Sequence, residues 1–525
     1  MKGLLTSLIT VLAFGSIHAQ SPTNRPRLIV GLCVDQLRSD HLEAFASLYG
    51  ERGLKRLWKE ALVYPRMHYP YASPDRASAL ASIYSGTTPS LHGIVGERWM
   101  NTATLKPVAA TEDAGYMGYY TDENHAPSQL LVSTLADELK EAGGNEAIVY
   151  SIAPHSDAAI FGAGHRGDGA FWLNTYTGKW SGTTYYGEFP LWASQYNDRK
   201  AVDTRIDRLS WEPLLPVSTY SAVGVEKAPS FKHSFNADRQ RYRRLQTSPL
   251  VNEEVNALAG EALTKSKLGQ DNQTDLLALT YYVGRFNTSP DAGDSPLETA
   301  DRYVRLDRCV AQLLDEIDRH VGLQHVLFFL VSTGYSDEPA STTAPGKSDT
   351  GSFYMNRCTA LLNMFLMATY GEGKYVETFH GREIYLNHKL IEQKQLDRAA
   401  VEAKCVEFLM QFSGVNEAYS AHRLLNGAWN PQTAPIRNGF HRKNSGDLIV
   451  EILPGWSLAH EDGTQDAPTR YAPAATPFFL MGRDIKPQVV VLPASIESIA
   501  PTVSSHARIR APNGCSVAPL CPADR

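Results

Sequence analysis

Cysteine is scarce: six residues in 525, with no C-x-x-C pair and no Cys/His spacing of the kind that holds a metal. A cysteine-built metal or redox motif is therefore excluded. Basic charge is not in excess either. Fifty Lys and Arg stand against 56 Asp and Glu, a formal net charge of −6. A nucleic-acid binder needs a basic face, so no nucleic-acid partner is expected. Beyond the first twenty or so positions no apolar run is long enough to cross a bilayer. The chain has no internal repeat and no low-complexity tract. It also lacks a G-x-S-x-G elbow, an H-E-x-x-H pair and a Walker loop.

What remains is an ordinary globular composition, 43% hydrophobic and 20% charged. The length suits one large domain with insertions, or two to three units. The opening "MKGLLTSLITVLAFGSIHAQ" has Lys2, an apolar stretch from Leu4 to Ile17, and the small Ala19. This reads as a signal peptide over residues 1–19. The mature protein is expected to be exported, to the periplasm or the cell surface, with no membrane span after cleavage. No cysteine lies near the cut, so a lipid anchor is not indicated.

Strand and helix patterns alternate along most of the chain. "RLIVGLCVDQLRSDHLEAF" gives a buried strand ending near Asp35, then a helix from about Ser39. "SPDRASALASIYSG" reads as a capped helix, "NEAIVYSIA" and "TDLLALTYYVG" as strands. "TADRYVRLDRCVAQLLDEIDRHV" is a helix with Tyr303, Leu306, Val310, Leu313, Leu314 and Ile317 on one face. "VLFFLVSTGYSDE" is an apolar strand whose tip holds Gly334 and Tyr335. Late strands and a late helix follow. The order argues for an α/β fold, a mostly parallel central sheet flanked by helices, with inserted cap regions. The expected division is a core over 26–160, an aromatic-rich cap over 161–245, core again over 246–345, a mainly helical insertion over 346–440, and core plus tail over 441–525.

Smaller motifs are weak. "GAGHRG" (162–167) fits a dinucleotide-loop pattern, but no clean strand precedes it, and a chance loop match is the simpler reading. Arg166, Gly167 and Asp168 read most simply as a turn. Asp35 at a strand end is either a metal ligand or a cap for the next helix. Cys33 reads as a core residue. Cys515 and Cys521, close together in the tail, are either bridged or free. Trp172, Tyr176, Trp180, Tyr185, Tyr186 and Trp192 form either a recognition surface or the core of the cap.

Several stretches together resemble the alkaline phosphatase superfamily. They are "VDQLRSDHL" (34–42), "ASIYSGTTPSLHGIVG" (81–96), "AGHRGDGAFW" (163–172), "ETADRYVRLDR" (298–308), "SGDLIVEILPGW" (445–456) and "SIAPTVSS" (498–505), in family order. The branch is that of the monomeric phosphate-irrepressible alkaline phosphatases, related to type I phosphodiesterases and nucleotide pyrophosphatases. The resemblance implies that fold and a two-zinc site. Three aspartates and three histidines hold the ions. A threonine or serine at a helix N-terminus attacks phosphorus, and a lysine, an arginine and an asparagine position the other phosphate oxygens.

Carried over position by position, the first aspartate is Asp35. The nucleophile position is Arg76, with Ser73 and Ser78 flanking it as caps or as a displaced nucleophile. The Asp and His of D-Y-V-G-H become Tyr281 and Arg285. The paired Asp-His becomes Gly334 and Tyr335, and the last histidine becomes Ala475. The positioning lysine and arginine become His155 and Asp157, and the asparagine becomes Glu97. Asp35 is the only ligand position kept, so no catalytic residue, no metal and no cofactor are expected. Arg76 and Arg285 are expected to fill the volume of the two ions, with Glu97, Asp157 and Asp35 pairing with them. The functional expectation is an inactive pseudo-phosphatase, a binding or scaffold subunit with a protein partner in the envelope. The alternative is a zinc-dependent phosphomonoesterase or phosphodiesterase with an altered site. A metal-free anion binder is a third reading.

Overall fold

Leu28–Asp35 is a run of eight buried residues whose single charge comes last. A strand buried on both faces reads in this way, and it sits at the centre of the sheet. The structure, a computed structural model, describes residues 25–521 except 145, 226–228, 237–238, 287–292, 338–350, 467–468 and 470–472. The leader expected over 1–19 lies outside the described residues. Among the described residues no helix is long and apolar enough to cross a membrane.

Leu28–Asp35 pairs in parallel with Asp275–Tyr282 on one side and Val326–Ser332 on the other. Val149–Ala153 and Gly169–Leu173 extend the parallel run. Antiparallel strands close both flanks: Thr476–Met481 and Leu62–His68 on one, Trp180–Thr183 on the other. This is the expected mostly parallel sheet flanked by helices. The register sets Asp35 beside Tyr282, and Val34 beside Ser332, at the carboxyl edge. Open α/β sheets build their sites at that edge.

Two helices frame the edge. Arg76–Ser85 is capped by Asp75, whose side chain accepts from the Ser78 amide in a capping box, and it stops at Gly86 with φ 66°. Its Ala and Ser side chains are buried from Ala77 to Ser85, so it packs closely on the sheet and on the helix Ser156–Ala163. Ser78 is thereby a capping residue. The long helix Pro296–His320 buries the expected face, including Tyr303, Leu306, Val310 and Ile317.

One expectation needs correction. The cap expected from 161 to 245 does not begin as a separate unit, because Gly169–Leu173 and Trp180–Thr183 join the central sheet. Trp172 and Trp180 are buried there, whereas Tyr176 is 77% exposed. Among its described residues the insertion over 346–440 holds strands beside its helices. Val376–His380, Glu383–Leu386 and Val415–Ser420 form an antiparallel sheet with Leu448–Ile452. The helices Met355–Tyr370 and Arg398–Leu409 share a core with that sheet. "GAGHRG" is the end of the helix Ser156–Ala163 and the turn after it. A Cβ on Gly162 would come within 2.4 Å of Ser151 Oγ, so this glycine serves helix-on-strand packing. Asp168 holds Lys140 at 2.9 Å and the Val149 amide at 2.8 Å, a structural role.

Candidate functional site

Asp35 is 1% exposed at the end of the central strand. Its Oδ1 accepts from Thr333 Oγ1 at 2.9 Å. Its Oδ2 has no hydrogen-bond partner. Burial pushes the carboxyl up to about 6, against the pull of Arg76 and of the Thr333 and Tyr335 hydroxyls.

Arg76 is the first residue of its helix, and its guanidinium is caged. Nε and Nη2 donate to the two oxygens of Asp157 at 2.9 and 3.0 Å, a bidentate pair. Nη2 also lies 2.9 Å from Glu97 Oε2, and Nη1 lies 3.8 Å from Asp35 Oδ2. Burial raises Asp157, but the charge and hydrogen bonds of Arg76 outweigh it and hold the carboxyl below its ordinary range. Burial, with Asp157 and Asp75 alongside, pushes Glu97 up. Burial and the charge of Arg76 hold His155 down at about 3, so its ring is neutral at ordinary pH. The expected pairing of Arg76 with Glu97, Asp157 and Asp35 is therefore present in the geometry.

The other predicted positions behave differently. Tyr281 turns away from the cleft: it is buried in the core and its hydroxyl donates to Asn256. The next residue, Tyr282, lines the cleft instead. Arg285 does not join Arg76; its Nη1 donates to the Asp337 carbonyl at 3.4 Å. Gly334 has φ +76°, and an added Cβ would come within 2.2 Å of the Tyr69 ring. That ring is fixed by its hydroxyl, which donates to the Ser332 carbonyl at 2.8 Å. No ligating side chain fits at position 334 while Tyr69 stays in place. Tyr335 lines the cleft, and Ala475 offers only its carbonyl, which accepts from Ser39 Oγ at 2.9 Å.

The cleft over this edge has a volume of about 750 Å³. Sequence reasoning missed Asp75 and Asp337 as parts of it, and Thr333 as the donor to Asp35. Asp75 accepts the Glu97 amide as well as capping the helix. Asp337 is clasped by Gln36, whose Nε2 donates to Oδ2 at 2.8 Å and whose Oε1 accepts the Asp337 amide at 3.0 Å. The D-R pair in "SPDRAS" and the acid in "GYSDE" carried the signal.

A pair of zinc ions is what the family resemblance implies. The orphaned Asp35 Oδ2 is a suitable oxygen. The rest of the donor set does not fit: position 334 excludes a side chain, Tyr281 faces the core, and arginine and alanine are not ligands. Among the described residues no group of three His, Cys, Asp or Glu converges on a common point.

The model of the type I phosphodiesterase / nucleotide pyrophosphatase family matches residues 29–477. Alkaline phosphatase PafA of Elizabethkingia meningoseptica is 28% identical, covering 98% of both chains. Alkaline phosphatase PhoV of Synechococcus elongatus is 27% identical, covering 93% of this chain and 91% of that one. The crystal structure of wild-type PafA matches with a TM-score of 0.82 over 94% of this chain and 98% of that one.

These likenesses correct two expectations. The inactive scaffold does not stand, because the full-length relatives bear the names of phosphatases and point to an active one. The expectation of no cofactor falls with it, since these relatives bear the name of the class whose resemblance implies zinc. Both expectations treated exchanged motif positions as the whole donor supply, although Asp75 and Asp337 add carboxylates from outside those motifs. The described side chains still do not compose the two-zinc set. The chain is a member of a phosphoric ester hydrolase family, that of the type I phosphodiesterases and nucleotide pyrophosphatases.

Proposed function

We propose that the protein is an exported hydrolase of phosphoric esters, acting in the cleft above Asp35 and Arg76. The carrying observation is the likeness of the whole chain to PafA, in sequence and in fold. The leader-like opening of the sequence supports export.

The chain's own groups suggest how an ester is received. Arg76 presents a cation immobilised by Asp157 and Glu97, at the N-terminus of a buried helix, a place suited to a phosphoryl oxygen. Asp35 Oδ2 is the buried acceptor able to take a proton from an attacking hydroxyl. Glu97, with its carboxyl pushed up, is the group suited to return a proton to the leaving oxygen.

The same geometry supports a substrate preference. Asp35, Asp75, Asp157 and Asp337 surround one central guanidinium, beside the proton-holding Glu97. Where the family resemblance puts a positioning lysine and arginine, this chain has neutral His155 and anionic Asp157. Such a surround repels a monoester dianion more than a diester monoanion. We therefore favour diesters.

The test uses the purified mature protein with p-nitrophenyl phosphate and bis(p-nitrophenyl) phosphate, with added zinc and with chelator. The reading expects turnover, with the diester favoured and D35N lowering kcat/KM by about a hundredfold. Absence of turnover of both esters, with zinc and without, would remove it.

A further inference from the structure

The hydrolase reading gives Asp35 the proton of an attacking hydroxyl and leaves the owner of that hydroxyl open. Arg76 stands where the family resemblance puts the nucleophile, and a guanidinium that stays protonated cannot attack. The carboxyl itself narrows the choice. Asp35 is 1% exposed, too enclosed to strip a proton directly from a free water in the cleft. The attacking group has to adjoin it from within the protein and still reach the cleft.

Among the described residues two hydroxyls bear on the Asp35 carboxyl, those of Thr333 and Tyr335. Thr333 is wholly buried and committed. Its Oγ1 donates to Asp35 Oδ1 and accepts the Gln36 amide, at 2.9 Å each. Tyr335 is only partly buried and lines the cleft. The backbone sets its place. Gly334 turns at φ +76° against the Tyr69 ring, and its carbonyl accepts the Ala474 amide at 3.1 Å. From that pinned turn the Tyr335 side chain enters the field of Asp35, Glu97 and Arg76 together. Arg76 holds Asp157 through Nε and Nη2, and Glu97 through Nη2. Its Nη1 lies 3.8 Å from Asp35 Oδ2, beyond hydrogen-bond distance, which suits it to a phosphoryl oxygen beside the phenol. Burial, then the charges of Asp35 and Glu97, keep the phenol protonated, well above its ordinary range. Attack therefore needs a base at hand, and Asp35 adjoins it.

We propose that Tyr335 is the nucleophile, and that the phosphoryl group passes through a covalent phosphotyrosyl intermediate. This rests on the hydrolase reading. In the first step a bond forms between Tyr335 Oη and phosphorus, and the bond from phosphorus to the leaving oxygen breaks. The phenol proton passes to Asp35, and the departing alcohol takes the proton held by Glu97. In the second step water attacks phosphorus and gives a proton to the Glu97 carboxylate. The phenolate leaves and recovers its proton from Asp35. One water is consumed, and every side chain returns to its starting state.

The test is turnover of bis(p-nitrophenyl) phosphate by the full mature protein, quenched in acid and read by peptide mass spectrometry. Nitrophenolate leaves more readily than a tyrosine phenolate, whose ordinary pKa is about 10, so the first step outruns the second and the intermediate accumulates. The expected result is a nitrophenylphosphoryl group on Tyr335, with an initial burst of about one nitrophenol per protein. Y335F, checked for folding by thermal melting, should lose the adduct and lower kcat by at least about a hundredfold. If Y335F does not fold, the adduct on the parent carries the test. Turnover with no adduct, an adduct on another residue such as Ser73, or a smaller loss in folded Y335F would overturn the proposal and leave the hydrolase reading standing. No turnover of any ester would sink the hydrolase reading and this step with it.

Discussion

Gly334 shows how one residue can decide what a site holds. It combines φ +76° with a neighbouring ring that leaves no room for a Cβ. G334A should therefore destabilise the protein by about 1–3 kcal/mol, from left-handed strain together with displacement of Tyr69. Chemical denaturation of the variant and the parent checks this, and equal stabilities would show that Tyr69 moves freely. Arg76 shows the converse case. Its position was legible from "SIYSGTTPSLHGIVG", and its expected neighbours followed from the family pattern. The bidentate geometry with Asp157 and the 3.8 Å gap to Asp35 were not legible, because they depend on how two helix N-termini meet. Asp75 escaped notice because a helix cap is the ordinary use of such a residue, and here it also holds the Glu97 amide.

At the level of elements, the central strands were plain in the sequence because strands buried on both faces read as unbroken apolar runs. The facing of their tips was not. Tyr281 and Tyr282 are both apolar-bodied, and only the register against Leu28–Asp35 decides which one meets the cleft. The strands Gly169–Leu173 and Trp180–Thr183 were hidden by their glycines and aromatics, which resemble a loop-rich insertion. The start of Asp275–Tyr282 yields a prediction. Asp275 is 1% exposed, accepts the Ile148 and Gly269 amides at 2.7 Å each, and burial pushes its carboxyl up to about 6. Its folded value exceeds the ordinary aspartate value of 3.8, so between pH 4 and 6 the folded state holds the extra proton. Stability from this group is thus lost as pH rises through that window, by about 2–3 kcal/mol. D275N lacks the titration, so its deficit against the parent should shrink from pH 4 to pH 6. Urea titrations at both pH values measure it, and a constant deficit would contradict the shift.

For the whole molecule, the fold was legible because motifs in order span nearly all of the chain, and the relatives match over the same span. Function was less so. Exchanged ligand positions say which side chains are gone from a motif, and they leave open which other groups surround the site. The six cysteines give a check on the tail. Cys515 Sγ donates to the Ser85 carbonyl, Cys521 Sγ lies 3.5 Å from His506 Nε2, and all six are free thiols. Thiol titration of the denatured, unreduced protein should count six. A count of four would show a disulfide instead.

The most direct measurement is kcat/KM for bis(p-nitrophenyl) phosphate and p-nitrophenyl phosphate, on the parent, R76A and D35N, with zinc and with chelator. The account predicts turnover by the parent, a higher value for the diester, and a fall of about a hundredfold in each variant. Failure of the parent to hydrolyse either ester under all conditions, or variants as active as the parent, would contradict it.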